Sequence, residues 1–139
     1  MTPFTLFAPA KINLALHVLG RRPDGYHDLD SIVAFADVGD ALSFAAADRF
    51  AITAGGPFAG GLPAAEDNII ARAWDTASEL AAGRGPPLPP VHVHLTKNLP
   101  VASGIGGGSA NAAAALKGFL RIAGIDSAGQ DVSAAALKL

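Results

Sequence analysis

The stretch KNLPVASGIGGGSANAAAAL, residues 97–116, places Gly104, Gly106, Gly107 and Gly108 within five positions and then runs into alanine. Glycine has more backbone freedom to lose on folding than any other residue, so a cluster of this kind needs a reason. Its flanks supply one. Upstream, Val91, Val93 and Leu95 alternate with His92, His94 and Thr96, the period of a strand. Downstream, Ala112, Leu116, Phe119, Leu120 and Ala123 fall on one face at helical spacing. A strand, a bare loop and a helix N-terminus together form an anion site, where unpaired N–H groups converge and the helix dipole adds to them. Glycine lets the backbone approach phosphate oxygens closely and adopt positive φ. Ser103 and Ser109 add hydroxyls that can reach a phosphate or its magnesium ion, and Asn111 can reach the same space.

Two nucleotide loops do not fit. The P-loop pattern requires Gly-Lys-Ser/Thr five residues after its first glycine, yet Ser109 stands five after Gly104 and no lysine lies inside the loop. The dinucleotide pattern G-x-G-x-x-G fails at its third glycine, which is Ser109 counted from Gly104 or Asn111 counted from Gly106.

Outward from the loop, the N-terminal half reads as strands. Ile12, Leu14, Leu16 and Val18 alternate with Asn13, Ala15, His17 and Leu19, and Pro23-Asp24-Gly25 follows as a reversal. A second strand is expected from Leu29 to Phe35, ended by Gly39-Asp40, a third over Ala41–Ala45 and a fourth over Phe50–Thr53. Gly55–Ala65 reads as a surface loop. Ile69, Ile70, Ala73, Trp74, Ala77, Leu80 and Ala81 then repeat at helical spacing, with Asp67 or Asn68 as cap and Trp74 in the core. The run from Gly83 to Pro90 is too rich in proline to be helical. Beyond the second helix, Ser127 and Gln130 resemble a capping box for a third, whose apolar positions Val132, Ala135, Ala136 and Leu139 keep the period to the last residue. Strands, helix, strand, helix and helix without strict alternation predict an α+β fold, a mixed sheet packed by helices, in one domain.

Composition narrows the function. The 139 residues carry 10 Lys and Arg against 12 Asp and Glu, which is unlike the basic stripe of a nucleic-acid-binding surface. The absence of cysteine excludes disulfides, thiolate zinc sites and a cysteine nucleophile. The N-terminus is apolar but lacks a basic leader region, and Lys11 and Asn13 interrupt it. No apolar run approaches the ~18 residues of a membrane span. The expectation is a soluble cytoplasmic protein with a small-molecule partner. His92 and His94 form an H-x-H pair without a third ligand, which strand alternation explains as a solvent face. Lys117 and Arg121 read as solvated, and His17 has no assigned role.

The string from Pro100, P-x-x-x-G-I-G-x-G-S-A-N-A-A, resembles the phosphate loop of the galactokinase, homoserine kinase, mevalonate kinase and phosphomevalonate kinase superfamily. Within it, PAKINLALHVLGRRPDGYHDLDSIVAFADVGD (residues 9–40), EDNII (residues 66–70) and the GGGS form of the loop are similar to the branch that phosphorylates 4-diphosphocytidyl-2-C-methyl-D-erythritol. The resemblance implies the N-terminal domain of that superfamily, a fold like the second domain of ribosomal protein S5. ATP would be held by Asn68, Lys97 and the loop residues Pro100, Val101, Ala102, Ser103, Gly104, Ile105, Gly106, Gly107, Gly108, Ser109, Ala110 and Asn111, with magnesium at Ser109. It further implies Lys11 at the reacting centre, with Asn13 beside it on one strand face, and Tyr26 and His27 holding the cytidine, the ring against the base and the imidazole on its edge. The reaction implied is transfer of the γ-phosphoryl of ATP to the 2-hydroxyl of the acceptor, in isoprenoid precursor synthesis.

One implied part is missing. The family's aspartate base lies in an L-G-A-D-V-P motif after the third helix, where this sequence reads AAALKL to Leu139. Asp24 to Asp30, Asp126 and Asp131 do not replace it by motif. The chain therefore reads as a truncated N-terminal part, without the second domain and inactive alone. Another kinase of the superfamily, such as homoserine kinase, and a non-catalytic nucleotide-binding fragment are the alternatives.

Overall fold

The computed structural model describes residues 1–62, 68–101, 104–105, 107–137 and 139. Strands β1 (Phe4–Arg21) and β2 (His27–Ala46) form a long antiparallel hairpin, followed by β3 (Ala51–Gly55). Helix α1 (Ile69–Ala81), β4 (Val91–Thr96), α2 (Gly108–Ala123) and α3 (Gln130–Ala136) complete the chain. The sheet order is β1-β2-β4-β3. The β1–β2 and β2–β4 pairs are antiparallel, while β3 and β4 run parallel with α1 between them in sequence, so the sheet is mixed.

The alternation read from the sequence decides which face is buried. Leu42 and Phe44 of β2 and Val91, Val93 and Leu95 of β4 are buried against α1 and α2, whose Ala73, Ala77, Ala115, Leu116, Phe119 and Leu120 complete the core. Phe119 is the hub of an aromatic cluster. Its ring meets Phe44 edge-on at 5.5 Å and Trp74 at 5.3 Å, and Trp74 stacks on Phe50 at 4.4 Å. Such pairs add about 0.5–1.5 kcal/mol each beyond the area they bury. At the edge, Phe4 stacks on Phe44 and carries the Arg121 guanidinium over its other face, so Arg121 is exposed yet engaged.

Three expectations change. Gly39-Asp40 does not end a strand: β2 passes through it and absorbs the expected third strand. Gly39 fits there because a Cβ would meet the Ala8 carbonyl oxygen at 2.3 Å, so its small size serves close strand approach rather than a turn. Ser127 is not a cap, since α3 starts from Gly129 without a side-chain cap; Arg84 instead ties the connector after α1 to Asp131 in the first turn of α3. Phe58–Leu62, inside the expected surface loop, closes a short 3₁₀ turn over Ala59–Gly61. The cap of α1 is Asn68, whose Oδ1 accepts from the Ile70 N–H at 2.9 Å; Asp67 lies outside the described residues.

Candidate functional site

Helix α2 opens at Gly107, which has φ 114° and leaves the helix without a side-chain cap. The N–H groups of Gly108, Ser109 and Ala110 stand in the first turn, where no intrahelical acceptor exists. Gly104 also has positive φ, 76°, and a Cβ at Gly104 or Gly108 would meet nothing within 4 Å, so the approach to these amides is open. Ala102, Ser103 and Gly106, expected in the same loop, lie outside the described residues.

Strand β1 faces this loop. Its pairing with β2 shifts register between Pro9 and Lys11, and the Lys11 N–H donates to the Ile105 carbonyl at 2.8 Å. A bulge releases a backbone group from the ladder, and here the released group seizes the glycine loop. Lys11, Asn13 and Phe35 then share a cleft of about 940 Å³ with Gly104, Gly108, Ser109 and Lys117. Lys11 and Asn13 meet the loop as expected, whereas His17 lies past a second register shift between Asn13 and Ala15 and is not in the cleft wall. Lys117 was expected in solvent; although exposed, it lines the cleft two helical turns beyond Ser109. The spacing Ser109, Ala113, Lys117 carried that signal.

The remaining nominated residues lie elsewhere. Lys97 and Asn111 are each 3% exposed, and neither lines the cleft, although Lys97 Nζ lies beneath Gly107 of the loop. Both reach Asp40, which is 0% exposed: Lys97 Nζ donates to Oδ2 at 2.8 Å and Asn111 Nδ2 to the same oxygen at 2.9 Å. The amides of Asn98 and Leu99 donate to Oδ1 at 2.7 and 2.8 Å. Burial pushes the Asp40 carboxyl up, and the hydrogen bonds from Lys97, Asn111 and the two amides outweigh it, holding it below the ordinary carboxylate range. Sequence reasoning took Asp40 only as strand punctuation; its signal was a charged residue in line with the buried positions Leu42 and Phe44. Asn68 is buried and its Oδ1 is occupied by the α1 cap. Pro100 and Val101 are exposed at the loop's entrance. Tyr26 is 73% exposed at the hairpin tip, with His27 beside it opposite Arg21. At ~3.3 Å per residue, His27 is about 26 Å of strand contour from Phe35, the partner of Lys11.

These residues fit an anionic phosphate chain: open first-turn amides, positive-φ glycines and the two lysines of the cleft wall. Ser109 is the one hydroxyl there among the described residues, and no carboxylate lines the cleft, so a magnesium ion would take one protein ligand and otherwise phosphate and water oxygens. His92 Nε2 and His94 Nδ1 each bond Thr53 Oγ1 at 2.8 Å, and among the described residues no group of three or more His, Cys, Asp or Glu is placed for a metal. Among the same residues, no helix is long and apolar enough to cross a membrane.

Residues 68–139 match the model of the GHMP kinases N terminal domain, and the chain belongs to that family. It is 52% identical over 132 residues to a 4-diphosphocytidyl-2-C-methyl-D-erythritol kinase of Rhizobium etli, covering 95% of this chain and 43% of that protein. A crystal structure of 4-(cytidine 5'-diphospho)-2C-methyl-D-erythritol kinase aligns with TM-score 0.66 and 31% identity over 97% of this chain and 49% of the other. Homoserine kinase from Cytophaga hutchinsonii, at 20% identity and TM-score 0.67, covering 98% of this chain and 40% of that one, shares the fold. The chain thus spans less than half the length of these proteins.

Proposed function

We propose that this chain is the N-terminal, phosphate-binding part of an ATP-dependent kinase that phosphorylates the 2-hydroxyl of 4-diphosphocytidyl-2-C-methyl-D-erythritol in the cytoplasm, serving isoprenoid precursor synthesis. The observation that carries the reading is the Lys11 N–H bond to Ile105, which holds β1 against the glycine loop and sets Lys11 and Ser109 on one cleft. In this reading the amides of Gly108, Ser109 and Ala110 hold the phosphates, and Lys11 stands at the acceptor oxygen, where negative charge is handled. The acceptor oxygen forms a bond to the γ-phosphorus, the bond from that phosphorus to the β-bridging oxygen breaks, and the hydroxyl proton leaves to a base. Catalysis of this kind rests mostly on positioning and electrostatics. A magnesium ion, when bound, would neutralise charge on the β- and γ-phosphates.

The cleft offers no carboxylate as that base among its described lining residues. The reading therefore assigns the base, and the rest of the acceptor site, to the part of the longer relatives that this chain does not span. The same observation favours a second reading for the chain by itself, binding without turnover. Tyr26 and His27 are assigned the cytidine. The acceptor is long, a cytidine joined through a diphosphate to a four-carbon chain, and register shifts along β1 curve the arm, so the direct span is shorter than the contour.

Calorimetric titration tests this, with 4-diphosphocytidyl-2-C-methyl-D-erythritol against cytidine diphosphate and mevalonate, and ATP separately. Saturable binding of ATP and of the cytidylyl acceptor, the latter weakened by Tyr26→Ala, supports the reading. Mevalonate bound in preference to the cytidylyl compound would move the assignment to another acceptor of the family.

A further inference from the structure

The residues on either side of the glycine segment meet at one buried carboxylate. Before it, Lys97 Nζ and the amides of Asn98 and Leu99 donate to Asp40; after it, Asn111 in the first turn of α2 donates to the same side chain. Lys97 also donates to the Leu99 carbonyl, and Asn98 Nδ2 to the Gly39 carbonyl at 3.0 Å, so the approach to the loop is bound to β2 by main chain and side chain together. Asp40 itself pairs with Ala8, one residue before the register shift that frees Lys11. A carboxylate only accepts, so Asn111 must present its amide NH₂ to Asp40. Its Oδ1 is left as the one buried side-chain polar atom without a partner among the described residues. That orientation is held at a cost, as expected of a residue fixed by its neighbour rather than by its own best bonding.

We propose that Asp40 is the positioning residue of the phosphate loop: one charge on β2 closes the base of the loop and sets the first turn of α2 against Lys11, and Lys97 and Asn111 act through it rather than by touching the nucleotide. The geometry accounts for a lysine and an asparagine flanking a phosphate loop whose side chains both end on Asp40, with Lys97 Nζ lying beneath Gly107. Asp40 touches no ligand in this scheme; it fixes the amides that do. The inference rests on the reading of the loop as a phosphate site, but its structural half does not require that ligand.

The test uses the 139-residue chain as Asp40→Asn/Lys97→Met, which removes both buried charges so that neither is left unpaired, with Asn111→Ala as the milder variant. Amide exchange and amide NMR shifts are followed at Asn98, Leu99, Gly104, Gly107 and Gly108, with Leu95 and Phe119 as core references. The proposal expects exchange at the loop amides to rise about tenfold or more while the references stay protected, and affinity for inorganic tripolyphosphate and ATP to fall about tenfold. Asn111→Ala should loosen Gly107 and Gly108 more than Asn98 and Leu99. A purely structural role would raise exchange at loop and core alike; that result, or loop amides unchanged in either folded variant, overturns the proposal. If the unsubstituted chain binds neither polyphosphate nor ATP while the loop amides still loosen in the variants, the positioning role stands and the nucleotide reading falls.

Discussion

Two regions of the same hairpin differ completely in environment. At its base, Ala8 and Ala10 of β1 and Leu42 and Phe44 of β2 are buried; further out, every residue from Lys11 to Arg21 and from His27 to Val33 is exposed. The outer arm is not polar: Leu14, Leu19, Ile32 and Phe35 are 63–69% exposed. Both regions satisfy the backbone by cross-strand pairing, so pairing alone makes the strand. Only the base has α1 and α2 above it, and that contact makes a core. The nominated residues divide along the same line: the loop and Lys97 stand on the base, with Asp40 beneath them, Tyr26 and His27 on the arm, and Lys11 at the border.

The sharpest test of that contrast is Phe119→Ala. Phe119 is 0% exposed, and truncating a buried phenylalanine costs about 3–5 kcal/mol. Urea unfolding should show that loss, and a loss below about 1 kcal/mol would mean the base is not the stabilising half.

Asp40 comes next, and its effect depends on pH. Asp40→Asn alone leaves Lys97 buried without a counter-charge, a change of about 3–5 kcal/mol for a broken buried pair. The folded carboxyl is held below its unfolded value of about 3.9. The group then contributes stability that is fully present above the unfolded value and is lost as pH falls through the lower, folded one. Urea midpoints taken from pH 7 downward should therefore fall in the acid range, and the part due to Asp40 should vanish in Asp40→Asn/Lys97→Met. An identical acid slope in both proteins would place the titration elsewhere.

Much of this was legible in the sequence, for physical reasons. Local periodicity fixes which side chains share a face, so Ile69–Ala81, Val91–Thr96 and the helix after the glycines could be placed from spacing. The cap of α1 is a local event and was readable to within Asp67 or Asn68, of which the structure shows Asn68. Long-range pairing was not. Gly39 looks like punctuation because glycine usually serves turns, and only the passing Ala8 carbonyl shows that it serves close approach. For the same reason the sequence could not show that Lys97 and Asn111 share a partner, since Asp40 is 57 and 71 positions away. The strand, glycine loop and helix were legible as elements, and Gly104 and Gly107 do take the positive φ that glycine permits.

A smaller effect is expected at the N-terminus of α1. Asn68→Ala removes the acceptor for the Ile70 N–H, and loss of such a cap costs about 1 kcal/mol. If Asn68 also served ATP, as the family resemblance implies, nucleotide affinity would drop by more than the shift in urea midpoint explains. If Asn68→Asp keeps both stability and affinity, the residue acts as a cap alone.

The smallest change is expected on the arm, where the contrast is easiest to break. Leu16 and Val18 are 48% and 63% exposed, so Leu16→Ser and Val18→Thr remove little buried area and should move the unfolding free energy by no more than about 0.5 kcal/mol. Threonine keeps the β-branched shape that strands favour, which separates burial from strand propensity. A loss of ~2 kcal/mol or more at Leu16, comparable to burying a whole side chain, would mean that the arm is covered in solution. Concentration would then identify the cover: a penalty that fades on dilution requires a second copy of the chain, and one that does not requires the arm to fold back on its own base. With neither, the arm is a strand pair whose apolar surface contributes nothing to the stability of this chain, and Tyr26 and His27 stand at the end of a support held by hydrogen bonds alone.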